Sequence, residues 1–149
     1  MELPDQVLEQ FRRAGRDGGR ARARALTAER RRHIARAASV ARWTRERFGA
    51  TRFEEVGLPG GELIDEGLTD AAAEAETVPS LVVAVTAPRL RREGVPVPKL
   101  EWPEPETRCY RMLEEQHGEL AHARYLALLD EVRSFADACP LARARAPPA

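Results

Sequence analysis

Residues Glu119 to Cys139 read ELAHARYLALLDEVRSFADAC. At about 100° per residue, Ala121, Tyr125, Leu128, Leu129, Val132, Phe135, Ala136 and Cys139 fall within one arc of about 120°. Asp130, Arg133 and Asp137 lie opposite. This spacing predicts a long amphipathic helix, stopped by Pro140 because proline removes a backbone donor and clashes with the preceding turn. The apolar face is wide enough for a core or for self-association, so a homodimer is one expected state. Residues 140–149, ending in LARARAPPA, are expected to form a disordered tail.

Working outward from that helix, TRCYRMLEEQH (107–117) reads as a further helix closed by Gly118. VPVPKLEWPEPE (95–106) holds four prolines in twelve residues and predicts an extended linker. SLVVAVTAPRLRREG (80–94) has two readings. Its β-branched run fits a buried strand, but Leu81, Val82, Val85 and Leu90 also suit a helix kinked or ended near Pro88, and the helix is favoured. Pro79 is well placed in a first helical turn. GELIDEGLTDAAAEAE (61–76) resembles an amphipathic helix weakened by Gly67. The expected fold class is therefore all-α: a basic N-terminal arm and helix, then a small helical bundle. The expected organisation is residues 1–50 as arm and arginine-rich helix, 51–139 as the helical domain with its linker at 95–106, and 140–149 as tail.

At the N-terminal end, PDQVLEQFRRAGR (4–16) suits a short helix, which Asp17-Gly18-Gly19 should break. RARARA (20–25) then reads as a flexible arm or frayed helix. Thr27 is a good N-cap and Glu29 suits the first turn, so a helix is expected from about 28 to 48 with Gly49 as its stop.

Formal net charge is zero, but its layout is uneven. Residues 11–50 hold thirteen arginines against Asp17, Glu29 and Glu46, a net +10. Residues 51–80 hold Arg52 against Glu54, Glu55, Glu62, Asp65, Glu66, Asp70, Glu74 and Glu76, a net −7. Such asymmetry points either to an anionic partner for the first block or to docking of the two blocks on each other. On a helical wheel the 28–48 helix has a narrow apolar stripe of Ile34, Ala37, Ala41 and Phe48, with Val40 at its edge. Arg31, Arg42 and Arg45 flank it on one side, and Arg32, Arg36 and Arg47 on the other. Trp43 falls among that second group. Three roles are open to it: burial under a second element, anchoring of a partner, or stacking on an exposed base.

The segment Gly18-Gly19-Arg20-Ala21-Arg22-Ala23, Leu26-Thr27-Ala28-Glu29, Arg31, Ile34-Ala35, Ala37-Ala38 and Ala41-Arg42-Trp43 resembles one found in small, mostly uncharacterised bacterial proteins. Its form is roughly GGxARAxxL[ST]xExRxxIAxxAAxARW, and it covers residues 18–43. The resemblance implies a small bacterial regulatory or accessory protein, DNA-associated or antitoxin-like, and no established activity.

Little else in the chain points to chemistry. His117 and His122 are five apart and lie about 140° from each other on one helix, unlike the pair of a zinc helix. Neither Ser39, Ser80 nor Ser134 has a nucleophile-elbow setting. GLPGG (57–61) lacks the lysine and hydroxyl residue of a phosphate-binding loop. No catalysis, metal or cofactor is expected. Cys109 and Cys139 fall on apolar helix faces and are expected to be buried and reduced. MELPDQVLEQ lacks the basic and apolar regions of a signal peptide, and the longest apolar run, LVVAV, is too short to span a bilayer, so a cytoplasmic chain without a membrane role is expected.

Two functional classes follow. In the first, the protein binds DNA or RNA: Arg20, Arg22, Arg24, Arg31, Arg32, Arg36, Arg42, Arg45 and Arg47 contact phosphate while Trp43 stacks or docks. In the second, the same residues serve an antitoxin-like interaction module that docks on an acidic protein partner.

Overall fold

The computed structural model describes residues 4–146. Among them it contains six α-helices, one 3₁₀ turn and no strand: α1 (Asp5–Ala25), α2 (Ala28–Phe48), α3 (Gly61–Ala72), α4 (Val78–Arg92), α5 (Pro105–His117), the turn Gly118–Leu120, and α6 (Ala121–Arg145). The chain is all-α. It divides into two compact units between Ile34 and Ala35, not near residue 50 as expected. The reason lies in α2: its last three turns bury side chains in the second unit, while Ile34 stays 39% exposed.

The second unit is the helical bundle. α3 packs on α4, α4 on α5 and α5 on α6, and α6 returns to α4 and α3. Phe53, Ile64, Leu81, Leu90, Leu113, Val132 and Phe135 form its centre, all essentially inaccessible. Each such side chain contributes roughly 1.5–3 kcal/mol on leaving water. An aromatic chain ties α2 to α6: Phe48 to Phe53 at 5.2 Å between centroids and Phe53 to Phe135 at 5.0 Å, both edge-on.

The ambiguous stretch at 81–87 is helical. Thr77 Oγ1 accepts from the Ser80 backbone N–H at 3.2 Å, and Ser80 Oγ accepts from the Thr77 N–H at 2.8 Å. That reciprocal cap starts α4, with Pro79 in its first turn. Leu81, Val82 and Val83 are all fully buried because α4 lies between α3, α5 and α6. A helix buried nearly all round shows no clean apolar period, which is why its sequence also fitted a strand. It continues through Pro88 to Arg92.

Three further expectations are corrected. The Asp17-Gly18-Gly19 break does not occur: α1 is one helix, because the following RARARA consists of two strong helix formers and two glycines cost only about 2 kcal/mol together. Nor does Pro140 end α6, which reaches Arg145. Arg143 in the turn beyond the proline donates to the Glu93 carbonyl and Cys139 before it is buried, so both sides of the proline are anchored. Residues 140–146 are therefore not a tail; 147–149 lie outside the described residues. The proline-rich stretch is extended as expected, yet it is no free linker. Val95 and Val97 are buried, and Arg91 donates to the Val97 and Pro98 carbonyls at 3.4 and 3.2 Å, so the segment lies as a strap against α4.

Candidate nucleic-acid interface

Helix α1 buries none of its side chains. Arg20, Arg22 and Arg24 are exposed, and they stand on a helix where a flexible arm was expected. At its end Leu26 is extended and Thr27 caps α2, its hydroxyl accepting from the Arg30 N–H at 3.1 Å. Arg31 reaches back from α2 to the Ala23 carbonyl at 3.2 Å, which satisfies an acceptor left over at the end of α1. Arg31 and Arg32 are both exposed. Arg12, Arg13 and Arg16 are exposed on the same helix and were not among the expected binding residues. For Arg13 and Arg16 the signal was the spacing of 13, 16, 20 and 24, which appears only when residues 5–25 are read as one helix.

In the second unit, Arg42, Arg45 and Arg47 are exposed on α2. Arg36 is only partly so: its guanidinium pairs with Glu74 at 2.7 Å. The acidic middle engages other arginines too, Arg52 with Glu54 at 3.1 Å and Arg108 with Glu76 at 2.6 Å. Part of the charge asymmetry in the sequence is thus consumed inside this unit, while Arg42 and Arg45 are left at the surface.

Trp43 is half-buried. Its ring lies 5.8 Å from that of Phe48, and the Arg47 guanidinium sits 5.0 Å from its centroid. It also closes on Gly94, where a Cβ would stand 3.2 Å from the indole. Of the three roles open to Trp43, burial against a second element is the one the geometry fills. The face of α2 turned to the core is Val40, Thr44 and Phe48, with Val40 only partly buried; it shares Phe48 with the expected stripe and is centred about 50° from it. Thr44 is 1% exposed and escaped the apolar pattern because it is polar; its hydroxyl donates to the Val40 carbonyl at 2.9 Å, so its burial leaves nothing unsatisfied.

The nucleophile candidates are quiet. Burial, then the Glu106 carboxylate, pushes the Cys109 thiol up to about 11. Burial and then Glu93 push Cys139 to about 11 against an opposing effect of Arg143. Both stay protonated near neutral pH. His122 Nδ1 meets the Tyr110 hydroxyl at 2.9 Å, and Tyr125 donates to Glu106 at 3.0 Å.

No protein-family model, curated protein or solved structure matches this chain.

Proposed function

We propose that the chain is a small accessory or regulatory protein that binds nucleic acid through arginine contacts to phosphate. The observation that carries this reading is α1: a helix of 21 residues with nothing buried and with arginine displayed along its length. Such a helix gains little from the core, so its arginine content is available to a partner. Guanidinium groups suit phosphate because the planar fork donates two hydrogen bonds and stays charged. Arg20, Arg24, Arg31 and Arg32 supply the main set, with Arg42 and Arg45 as a second. Arg36 is paired with Glu74 and Trp43 is half-buried against Phe48, so neither has a leading role.

Affinity of this kind is mostly electrostatic, with log K falling by about 0.9 per log unit of salt for each phosphate neutralised on duplex DNA. A gel-shift titration at two salt concentrations tests it. Binding that weakens steeply with salt, and that falls at least tenfold in an Arg20→Ala/Arg24→Ala/Arg32→Ala variant, is the expected result. No binding to bare nucleic acid at low salt would reject this reading in favour of an acidic protein partner.

A further inference from the structure

Because α1 runs unbroken through Gly18-Gly19, Arg13, Arg16, Arg20 and Arg24 share one side of it, within an arc of about 80°. At about 1.5 Å per residue they form a ridge roughly 16 Å long. All four are exposed. Arg22 points to the other side, with Phe11, Ala14 and Gly18. Glu9 stands at the start of the ridge and holds Arg16 at 2.8 Å and Arg12 at 3.8 Å.

Resting on the nucleic-acid reading above, we infer that α1 engages a duplex as a preformed helix laid along one phosphate backbone. Arg13 and Arg16 are binding residues on a par with Arg20 and Arg24, Arg22 is not one, and Glu9 competes with phosphate for Arg16. The chemistry of the ridge favours a duplex over a single strand. Single-strand sites rely on aromatic platforms for unstacked bases, whereas Phe11, 67% exposed, is the one aromatic among the described residues that is more than half-exposed, and it lies opposite the ridge. The same opposite side disfavours a membrane surface, because its large apolar side chains, Val7, Leu8 and Phe11, are confined to the first two turns, with Val7 and Leu8 half-buried, and beyond them it offers only Ala14, Gly15, Gly18, Ala21 and Ala25 around Arg22, too little apolar area to embed. Helical preorganisation matters because four long side chains then converge on phosphate without the cost of ordering the backbone.

The test uses the full chain and fluorescence anisotropy with a mixed-sequence duplex, the matching single strand, and vesicles containing phosphatidylserine. Arg20→Ala/Arg24→Ala probes the underlying reading; unchanged duplex affinity there would overturn both proposals. Given a loss, Arg13→Ala/Arg16→Ala is expected to weaken duplex binding by about as much and to lower the salt slope by about 2, while Arg22→Ala changes it less than about twofold. Gly18→Ala/Gly19→Ala is the variant that separates a helix from an arm. A Cβ at either position meets nothing within 4 Å, so folding is undisturbed. A preformed ridge predicts duplex affinity within about twofold of the parent, because the ordering cost that alanine removes is already absent. Glu9→Gln should tighten it by about two- to threefold, and that gain should vanish in an Arg16→Ala background. A change in affinity of more than about twofold in the Gly18→Ala/Gly19→Ala variant, or no effect of Arg13→Ala/Arg16→Ala, would overturn the ridge while leaving phosphate binding by Arg20 and Arg24 intact. Binding to the single strand or the vesicles as tight as to the duplex would overturn the choice of partner.

Discussion

Asp65 is 9% exposed and its two carboxylate oxygens accept from the backbone N–H groups of Phe53 and Glu54, each at 2.9 Å. The side chain thereby fixes the loop that carries Phe53 into the aromatic core, with Arg52 3.7 Å away as a loose ionic neighbour. Asp65→Ala strands both donors, one of them fully buried, and should lower stability by about 2–4 kcal/mol in urea unfolding. Gly67 is a second residue whose role the sequence conceals. A Cβ there would stand 2.5 Å from Val83 and 2.6 Å from the Pro79 carbonyl, so the missing side chain is what lets α3 and α4 approach. Gly67→Ala improves helix propensity by about 1 kcal/mol, yet it should be net destabilising by about 1–3 kcal/mol because the core cannot accommodate the methyl. A raised unfolding midpoint in that variant would contradict the packing argument. In the sequence Gly67 looked like a flaw in an amphipathic helix, and Asp65 looked like one more member of an acidic run. Neither role can be read locally, since each depends on a neighbour from another segment.

Element by element, α2, α5 and most of α6 were legible, α2 from its Thr27 cap and Gly49 stop, α5 from its Gly118 stop and α6 from its apolar spacing. What misled were the punctuating residues. Gly18-Gly19 and Pro140 lower helix stability without forbidding it, and their cost is overcome by helix-forming neighbours in α1 and by anchoring of both flanks in α6. The site was legible as an excess of arginine but only in part as a geometry: the wheel placed the stripe of α2 on Ile34, Ala37, Ala41 and Phe48 with Val40 at its edge, while the protein buries Phe48 and Thr44, half-buries Val40 and leaves Ile34 exposed. Two predictions belong to single elements. Thr77→Ala removes the cap of α4 and its bond to Asp70 at 2.7 Å, and should cost about 1–2 kcal/mol of stability. α1, with no buried side chain, should exchange its backbone amides by local opening, orders of magnitude faster than the enclosed turns of α4. Equal protection of the two helices in native-state hydrogen exchange would show that α1 gains support its exposure does not reveal.

For the molecule as a whole, the zero net charge conceals two opposed regions, and stability and binding should respond to solution conditions separately. Salt acts on the exposed arginines, whereas alkaline pH acts on the bundle. Cys109 and Cys139, each fully buried, are raised from 9.0 to about 11, and Tyr125 from 10.0 to about 12, first by burial and then by its bond to Glu106. In the unfolded chain these groups release protons near their ordinary values, so between pH 9 and about 12 the unfolded state binds fewer protons than the folded one. The sign follows: their contribution is fully present below about pH 9 and is lost progressively as pH climbs through the folded values. Urea midpoints should therefore hold steady from pH 7 to 8.5 and fall between pH 9 and 11. Cys109→Ala/Cys139→Ala should flatten that decline even if it lowers the midpoint at neutral pH, because the thiols that lose protons only on unfolding are gone. A decline equally steep without them would assign the alkaline loss to other groups and separate it from the burial of these two side chains.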